Sequence, residues 1–405
     1  MAPASRSVDG PADPPFAEAS PDAPWATVDL DALRHNLTLL RSHAAGGVGR
    51  RGTGDTGSGP LLLAAVKADA YGHGMATVAR ALRAAGADAF GVATADEALA
   101  LRAAGLDGMV LLFGPVRQRI PELVEAGVAL TVAAPGDLTA LEAAGAPGRA
   151  HVHLKVDTGM GRLGGSAHAG PALAAAVARS RAAELVGVWT HLATADEPDA
   201  LDRDGRTERQ LVAFRELLER LERHGLRPRW AHAANSAATL LRPDASFDLV
   251  RPGIALYGVA PSAWVARRVP GLRPALRWDA PVTFAKRVEA GTTIGYGATW
   301  TAARRTVVAT VRVGYADGYP RSLSNRGRLG WRGRRVPVAG RVCMDQLMVD
   351  LGPDGEVEVG ERVDVVGGAA PDAAEVAHEA GSFAYELLTR IGARVARRYV
   401  DAAER

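Results

Sequence analysis

Short apolar runs alternate with helix-forming stretches from about residue 60 to residue 254. The strand candidates are LLLAAVKA, AFGVAT, MVLLFG, ALTVA, HVHLKVD, LVGVWTHL, WAHAAN and LVRPG. Stretches such as GMATVARALRAAG and ERQLVAFRELLERLERHG carry apolar residues at helical spacing and end in glycine. Eight strands separated mostly by helices predict parallel pairing through right-handed crossovers. We therefore predict an α/β fold with a (β/α)8 barrel, in preference to an open doubly wound sheet.

The pattern changes after about residue 270. Segments such as TVVATVRVGYADG, RRVPVAGRVCMDQLMVDL and ERVDVVGG alternate apolar and polar residues and contain turn formers, with no long helix between them. A helical stretch, AAEVAHEAGSFAYELLTRIGARVARRYV, follows near the end. This predicts a barrel over residues 25–270 and a second, mostly β domain over residues 271–405.

Two segments show little periodicity. Residues 1–24 are rich in alanine, proline and aspartate, and we expect a disordered tail there. Residues 45–59, AGGVGRRGTGDTGSG, look like a glycine-rich loop insertion between a helix and the first strong strand. This loop lacks the Gly-Lys-Ser/Thr ending of a phosphate-binding P-loop.

Composition narrows the function classes. The 405 residues are 47% apolar and 23% charged, and the net charge of +3 is too small to indicate a dedicated nucleic-acid or membrane surface. No run approaches the length of a membrane span, and the N-terminus shows no signal-peptide pattern. Cys343 is the only cysteine, so no intrachain disulfide can form. We expect a cytoplasmic protein.

Lysine is rare in this chain. Of the 48 lysines and arginines, only Lys67, Lys155 and Lys286 are lysine. A lysine can lose its proton and attack a carbonyl, which a guanidinium cannot do. Lys67 and Lys155 both lie beside glycine-rich turns, whereas Lys286 has no such setting. Lys67 and Lys155 are therefore candidates for chemistry.

The active site of a (β/α)8 barrel lies at the carboxyl ends of its strands. This rule gathers the candidates, which end or follow strands one, five, six, seven and eight: Lys67, Lys155, Asp157, Arg162, His191, Asn235, Ser236, Arg251, Gly253 and Ile254. Gly253 permits close approach of the backbone, and a hydroxyl beside backbone N–H groups suits a phosphate.

A reactive lysine and a phosphate site on one barrel face indicate pyridoxal 5′-phosphate. Lys67 would hold the cofactor as a Schiff base, and Arg251 could face its pyridine nitrogen. Because arginine only donates hydrogen bonds, that nitrogen would stay unprotonated. The ring would then be a weaker electron sink, which favours simple proton return over side reactions.

At these residues the sequence resembles the alanine racemases, which are fold-type III pyridoxal phosphate enzymes. The resemblance covers about residues 25–402 and is carried by AAVKADAYGHG, HLKVDTGMGRLG, WTHLATADE, HAANSAATL, VRPGIALYG, GYGATW, RVGYADGYP and RVCMDQLMVDL. It implies an isomerase that interconverts L- and D-alanine and supplies D-alanine for peptidoglycan.

The resemblance also implies residue roles. Lys67 and Tyr296 would be the two catalytic bases, on opposite faces of the cofactor. Arg251 and His191 would contact the cofactor ring, and Arg162 and the backbone of Met344 would bind the substrate carboxylate. Tyr315 and Asp345 would line the access to the site. The phosphate would be held by Tyr71, Ser236, Gly253, Ile254 and Tyr385.

Racemisation needs two bases because the proton leaves one face of Cα and returns on the other. In the family the tyrosine comes from the partner's C-terminal domain, which implies a homodimer with shared active sites. In many members the lysine at the position of Lys155 is carbamylated and orients the arginine at the position of Arg162. GSFAYELLTR departs from the usual family pattern, and Phe383 leaves the preferred substrate size open.

Other functions remain as alternatives. Racemases of serine or other small amino acids are the nearest. A metal-dependent amidohydrolase would use His151, His153, His191 and His232 together with Lys155, which is carbamylated in some of those enzymes. Its paired histidines should end the first strand, however, and strand eight here ends in Arg251 where a metal-binding aspartate is needed, so we expect no metal. A non-catalytic pyridoxal phosphate-binding barrel would lack the second domain. An amino-acid decarboxylase would not need Tyr296.

Overall fold

The computed structural model describes residues 20–46 and 59–401, which fall into two compact units. The first unit comprises the described residues of Met1–Leu30, Gly72–Gly74 and Pro274–Arg405. The second unit comprises those of Asp31–Tyr71 and Met75–Arg273.

The strands of the described chain are numbered in chain order. They are β1 (Trp25–Asp29), β2 (Leu61–Ala65), β3 (Ala89–Val92), β4 (Met109–Leu112), β5 (Val128–Val132), β6 (Ala150–Asp157), β7 (Gly165–Ser166), β8 (Ala183–Trp189), β9 (Trp230–His232), β10 (Leu249–Val250), β11 (Leu276–Val288), β12 (Thr293–Ile294), β13 (Trp300–Thr301), β14 (Thr306–Val311), β15 (Arg328–Trp331), β16 (Arg334–Pro337), β17 (Leu347–Gly352), β18 (Arg362–Val366) and β19 (Ala396–Val400).

Helices connect most of the barrel strands. The α-helices span Leu30–Ala45, Met75–Ala84, Ala95–Ala103, Ile120–Glu125, Pro135–Ala143, Gly170–Arg179, Arg206–Arg223, Ser236–Leu241, Ala263–Arg268, Ala373–Glu379 and Ala384–Thr389. Short 3-10 turns cover Pro198–Leu201, Pro243–Ala245, Ile254–Tyr257, Tyr296–Ala298 and Arg321–Leu323. A further helical turn, Lys67–Gly72, has an unusual backbone that is described with the site.

The second unit is a parallel barrel. Its strands follow the order β10-β2-β3-β4-β5-β6-β8-β9, with β7 added beside β6. Backbone hydrogen bonds from Asp248 N to Ala231 O (3.0 Å) and from Arg251 N to Ala234 O (2.9 Å) flank the seam between β9 and β10. The eight strand candidates all form strands, so the predicted (β/α)8 barrel is confirmed. One interior cluster contains Leu63, Ala89, Leu111, Ala129 and Leu249.

The helix layer buries one face of each amphipathic helix. In Arg206–Arg223, the leucine and phenylalanine residues lie three or four positions apart along one face, which places them on a single stripe. Those residues are fully or almost fully buried: Leu211, Phe214, Leu217, Leu218 and Leu221. Burial of this stripe stabilises the helix far more than its intrinsic propensity does.

The first unit is built around antiparallel strands. One path runs β16-β15-β18-β11-β1-β19, and β14 joins β11 to β17. The 13-residue strand β11 pairs with β1 and β18 along its first half and with β14 along its second half. Its register shifts at two points, in its pairing with β18 and in its pairing with β14. The mostly β character expected after residue 270 is confirmed.

The expected start of the barrel at residue 25 differs from the structure. Strand β1 pairs antiparallel with β11 and parallel with β19, so it belongs to the sheet of the first unit. Its alternating burial, with Ala26 and Val28 fully buried, matches a sheet strand with one covered face. Sequence order placed these residues beside the barrel, but strand pairing follows long-range contacts that periodicity does not reveal.

The expected tail and insertion lie largely outside the described residues. Residues 1–19 and 47–58 are not described, and the expectations for 1–24 and 45–59 therefore stay predictions for those parts. Among the described helices, none combines the length and apolar character needed to cross a bilayer.

Candidate active site

The carboxyl ends of the barrel strands bring most of the predicted residues together. Lys67 follows β2, Lys155 lies near the end of β6, and His191 follows β8. The remaining candidates of the second unit follow β9 and β10: Asn235, Ser236, Arg251, Gly253 and Ile254. Parallel strands end at the same rim of a barrel, which is why residues far apart in sequence meet there.

Lys67 opens a left-handed turn. Ala68, Asp69, Ala70 and Tyr71 have φ between 52° and 53° and ψ between 40° and 54°. Left-handed geometry costs roughly 1–2 kcal/mol for each residue that carries a Cβ. The turn is held by hydrogen bonds from Ala68 N to a Glu97 carboxylate oxygen (2.6 Å) and from Ala70 N to Val66 O (2.8 Å). The sequence predicted only a turn here.

The amine of Lys67 lies 6.0 Å from the centroid of the Phe113 ring. Burial, and then the positive charge of Arg162, lower the pKa of Lys67, while Glu97 acts in the opposite direction. A lowered pKa increases the share of neutral amine at a given pH. Lys67 is therefore better suited to act as a nucleophile and a base than an ordinary surface lysine.

Ser236, Gly253 and Tyr71 form a small polar cradle. The Ser236 hydroxyl oxygen accepts hydrogen bonds from Gly253 N (2.8 Å) and Ala255 N (3.3 Å). A Cβ at position 253 would come within 2.4 Å of the Tyr71 hydroxyl oxygen, so only glycine fits. Burial raises the pKa of Tyr71 to about 12, which keeps the hydroxyl protonated and able to donate. Because the Ser236 hydroxyl oxygen accepts from the backbone, its own proton can be donated, and two hydroxyl donors beside a glycine suit a phosphate group.

Asn235 prepares this cradle. Its side-chain oxygen accepts a hydrogen bond from Ala238 N (3.0 Å), which caps the helix Ser236–Leu241. The Tyr257 ring packs against Tyr71 with centroids 4.9 Å apart, and the Tyr257 hydroxyl donates to Ala65 O (2.9 Å). The cradle is thus fixed to β2 and to the turn that begins at Ile254.

Arg251 is buried, and both of its terminal nitrogens donate hydrogen bonds. Nη1 donates to His232 Nδ1 (2.9 Å), and Nη2 donates to Thr190 O (2.8 Å) and Ala233 O (3.1 Å). The guanidinium carbon lies 4.9 Å from the centroid of the Trp189 ring. Burial lowers the pKa of Arg251 to about 9. The hydrogen bonds that fix the side chain therefore come from Nη1 and Nη2, and none of them uses the Nε–H group.

His191 is a neutral imidazole. Burial, followed by the charges of Arg251, Arg162, Lys155 and Lys67, lowers its pKa well below the ordinary value. Its Nδ1 lies 3.4 Å from Arg251 Nη2, and because arginine only donates, that nitrogen accepts. An uncharged ring at this position can lie against a flat ligand without adding a further positive charge.

Lys155 is 2% exposed and lies 5.1 Å above the Trp189 ring. Its Nζ donates to Val156 O (2.8 Å) and Leu163 O (3.0 Å). Burial, and then the charge of Arg251, lower its pKa to about 8. Buried lysines of this kind carry an appreciable fraction of reactive neutral amine at neutral pH.

A carboxylate organises the turn that carries Arg162. Asp157 accepts hydrogen bonds from Gly159 N (2.9 Å), Met160 N (2.8 Å) and Gly161 N (2.9 Å). Arg162 follows this turn directly and is exposed. These three bonds fix the turn around the Asp157 carboxylate.

The remaining predicted residues lie in the first unit. Four of them, Tyr296, Tyr315, Met344 and Asp345, line one cavity of about 1310 Å³. Tyr296 is 70% exposed, and backbone hydrogen bonds join Tyr315 N to Cys343 O (3.1 Å) and the neighbouring Ala316 N to Met344 O (3.0 Å). The Asp345 carboxylate accepts a hydrogen bond from Arg394 (2.7 Å).

Tyr385 lies on the helix Ala384–Thr389 of the same unit. Its ring centroid is 5.7 Å from that of Phe383, which is 61% exposed. The predicted role of Tyr385 toward a phosphate stays a prediction.

The sequence suggested two buried histidines, His153 and His232, only as metal ligands of an alternative function. His232 bonds to Arg251 and to His153, and both imidazoles are fully buried. His151 is exposed, so the two histidines of β6 point to opposite faces, as strand alternation requires. The signal that could have found His153 is its position two residues before Lys155 on the inward face of β6.

Within residues 20–46 and 59–401, no group of three or more histidine, cysteine or acidic side chains is arranged to hold a metal ion.

Two family models together match most of the chain. The model of the alanine racemase N-terminal domain matches residues 28–261, and that of the C-terminal domain matches residues 275–399. The boundary between them coincides with the change in periodicity near residue 270.

Whole-chain comparisons agree. An alanine racemase of Desulforamulus reducens is 42% identical over 381 residues, covering 93% of this chain and 98% of that one. An alanine racemase of Salinispora arenicola is 44% identical over 383 residues, covering 92% and 97%.

Solved structures show the same similarity. The alanine racemase of Streptomyces coelicolor superposes with a TM-score of 0.83 at 41% identity, covering 95% of this chain and 99% of that one. The alanine racemase of Bacillus anthracis with bound L-Ala-P gives 0.84 at 35% identity, covering 93% and 95%. With both of its domains matched and nearly its whole length aligned, this chain belongs to the alanine racemase family.

Proposed function

We propose that this protein interconverts L- and D-alanine with pyridoxal 5′-phosphate and two bases. One observation carries the proposal: a lysine of lowered pKa, a glycine-based cradle and a buried arginine share the carboxyl rim of one barrel. The product would supply D-alanine for peptidoglycan, and a cytoplasmic location stays a prediction.

The residues of the rim fit the cofactor. Lys67 would hold it covalently through Nζ, and Arg251 would donate to its ring nitrogen while His191 lies against the ring. The cradle would bind the phosphate through Tyr71, Ser236, Gly253 and Ile254, together with Tyr385. When bound to an amino acid, the cofactor withdraws electrons from Cα and makes the Cα proton easier to remove.

Two groups of the chain would move the proton. Lys67, whose pKa is lowered by burial and by Arg162, would act on one face of Cα. Tyr296 would act on the opposite face. Arg162 and the backbone of Met344 would hold the substrate carboxylate, which fixes Cα between the bases.

Tyr296 supports a shared site between two copies of the chain. A catalytic tyrosine needs a desolvated setting, but Tyr296 is 70% exposed on the wall of its cavity. A homodimer in which the barrel of a second chain covers this cavity would bury it. Tyr315 and Asp345, on the same wall, would then line the access to the site.

The environment of Lys155 supports carbamylation. Carbon dioxide reacts with neutral amines, and burial lowers the pKa of Lys155 to about 8. A carbamate there would add a negative charge toward Arg162. Intact mass and ¹³C NMR of protein equilibrated with ¹³C-bicarbonate should show one carbamate for each chain, absent from Lys155→Arg. Native protein that carries only bare amines would contradict this proposal.

The activity is tested by isotope exchange. Protein loaded with pyridoxal 5′-phosphate is incubated with L-alanine in heavy water, and the products are separated on a chiral column. Deuterated D-alanine is expected, and Lys67→Arg should yield none. Deuterium in L-alanine alone would mean that only one base works. L-Serine run in parallel tests the size preference that Phe383 leaves open.

The roles of the two bases are tested separately. Tyr296→Phe should reduce proton transfer on one face of Cα far more than on the other, so exchange into L-alanine and into D-alanine should fall unequally. Equal losses in both directions would count against a base confined to one face.

A further inference from the structure

A chain of three side chains runs inward from Arg251 through the centre of the barrel. Arg251 Nη1 lies 2.9 Å from His232 Nδ1, and His232 Nε2 lies 2.8 Å from His153 Nδ1. Both imidazoles are 0% exposed, and Arg251 is 5% exposed. The chain lies behind the rim that carries the predicted cofactor site and involves no predicted substrate contact.

The direction of every hydrogen bond in the chain is fixed by the arginine. A guanidinium can only donate, so Nδ1 of His232 accepts. The proton of this neutral ring must then be on Nε2, which donates to Nδ1 of His153. Burial, and then the charge of Arg251, lower the pKa of His153 to about 3 and that of His232 well below its ordinary value, so both rings stay neutral.

Two neighbouring residues fix the position of the His153 imidazole. Gly187 of β8 is the register partner of His153, and a Cβ at Gly187 would come within 2.1 Å of His153 Nδ1. On another side, the Trp230 ring stacks nearly parallel to the imidazole, with centroids 6.0 Å apart and an interplanar angle of 9°. Because Nδ1 of this neutral ring accepts, its own proton is on Nε2, which is buried without a hydrogen-bond partner among the described residues. The bond to His232 is therefore the one hydrogen bond that fixes the His153 ring among these residues.

This arrangement matters because Arg251 is a buried cation whose acceptors are neutral: two imidazoles and two backbone carbonyl groups. The carbonyls are fixed by the strands, but His232 can rotate about its side-chain bonds. An acceptor for Nε2–H holds that ring in the one orientation that presents Nδ1 to Arg251. A ring without this acceptor would leave a buried donor unpaired, which is unfavourable.

We propose that His153 is a positioning residue: its Nδ1 lone pair fixes the His232 ring, which in turn fixes the Arg251 guanidinium for the cofactor. The inference rests on the role proposed above for Arg251. His153 itself would contact neither cofactor nor substrate.

Two isosteric substitutions test the proposal. The side-chain oxygen of asparagine is bonded to Cγ as Nδ1 is in histidine, so His153→Asn retains an acceptor. His153→Leu has the same branched shape and no acceptor. Gly187→Ala is a second route to the same defect, because its methyl group would displace Nδ1 while His153 remains. Gly136→Ala, whose Cβ would be 3.7 Å from the nearest heavy atom, is the matched control.

The first readout is the N–H proton of His232 in cofactor-free protein, observed by NMR with ¹⁵N-labelled histidine. We expect a slowly exchanging proton on Nε2 in the native protein, His153→Asn and Gly136→Ala. We expect its loss in His153→Leu and Gly187→Ala. A His232 proton on Nδ1 in the native protein, or a signal unchanged in His153→Leu, would overturn the proposal.

The second readout is catalysis by the loaded enzyme. His153→Leu should lower kcat by about tenfold or more with little change in KM, and His153→Asn should recover most of it. Equal kcat in the two variants would show that the acceptor is irrelevant to the reaction. If native protein shows the expected proton but no alanine turnover, the proposed function fails, whereas the hydrogen-bond chain stands.

Discussion

Single residues determine where charge is held on the barrel rim. Lys67 and Lys155 are two of only three lysines in a chain that is rich in arginine, and burial lowers the pKa of both. Arg251 is buried among neutral acceptors, which suits a group that must donate a hydrogen bond without exchanging a proton. Lysine thus suits proton transfer, and arginine suits permanent donation of a hydrogen bond.

Lys155 should make stability depend on pH. Its pKa is about 8 in the folded protein against 10.5 for an unperturbed lysine. Below pH 8 both states are protonated and the folded state carries the full cost of a buried charge. Between pH 8 and 10.5 the unfolded state binds more protons, so this contribution to stability rises by at most about 1.4 kcal/mol per pH unit.

Urea unfolding in carbonate-free buffer measures this effect. The free energy of unfolding of the native protein should increase with pH relative to Lys155→Met across that interval. Parallel curves for the two proteins would show that Lys155 does not titrate as expected.

The contribution of Ser236 to phosphate binding can be tested against a second buried serine, Ser246. Ser236 accepts two backbone hydrogen bonds, whereas the hydroxyl oxygen of Ser246 is buried without a partner among the described residues. Ser236→Ala should weaken binding of pyridoxal 5′-phosphate by about tenfold, because a hydrogen bond to a charged group is lost. Ser246→Ala should leave binding within about twofold. Fluorescence titration of cofactor-free protein compares them, and equal affinities would remove Ser236 from the cradle.

At the scale of elements, the turn after β2 is the least conventional part of the fold. Four consecutive residues with side chains adopt left-handed geometry immediately after Lys67. The turn therefore depends on its neighbours, including the Glu97 carboxylate that accepts from Ala68 N. Backbone strain of this kind is found where function requires a particular placement.

Two exposed alanines should respond oppositely to the same substitution. Ala68→Gly relieves left-handed strain and should raise the free energy of unfolding by about 1 kcal/mol. Ala100→Gly, inside the right-handed helix Ala95–Ala103, should lower it by about 1 kcal/mol. Chemical unfolding of the two variants measures both changes. The same sign at both sites would mean that the turn carries no strain in solution.

The elements themselves were largely predictable. All eight barrel strands and the change to β structure follow from apolar periodicity, which reports local burial. The left-handed turn was not predictable, since Ala68 and Ala70 give no local signal for positive φ. The same holds for His232 and His153, whose pairing depends on strands that are 79 residues apart in sequence.

At the scale of the molecule, the strand that begins at residue 25 precedes the barrel in sequence but does not belong to it. Strand β1 joins the sheet of the first unit because its neighbours, β11 and β19, come from the far end of the chain. Apolar periodicity reports local burial, so it could not assign the partners of this strand. The candidate residues likewise divide between the barrel and the cavity that contains Tyr296.

A shared site predicts complementation between inactive chains. Lys67→Ala and Tyr296→Phe homodimers should each be strongly impaired. If subunits are mixed and exchanged, a heterodimer has one site with both native residues and one with neither. With about half of the molecules as heterodimers, about a quarter of native activity should return. A mixture that contains heterodimers but regains no activity would contradict sharing, because sites built within one chain would all lack one of the two residues.

The left-handed turn has a stereochemical consequence for the chain itself. The φ and ψ angles at Ala68 are close to the mirror image of right-handed helical values, which are those that a D-residue favours. At this exposed position, the backbone therefore suits D-alanine better than the L-alanine that the ribosome supplies. A semisynthetic protein with D-alanine at position 68 should fold with less strain than the native chain, and it would contain the proposed product of its own active site.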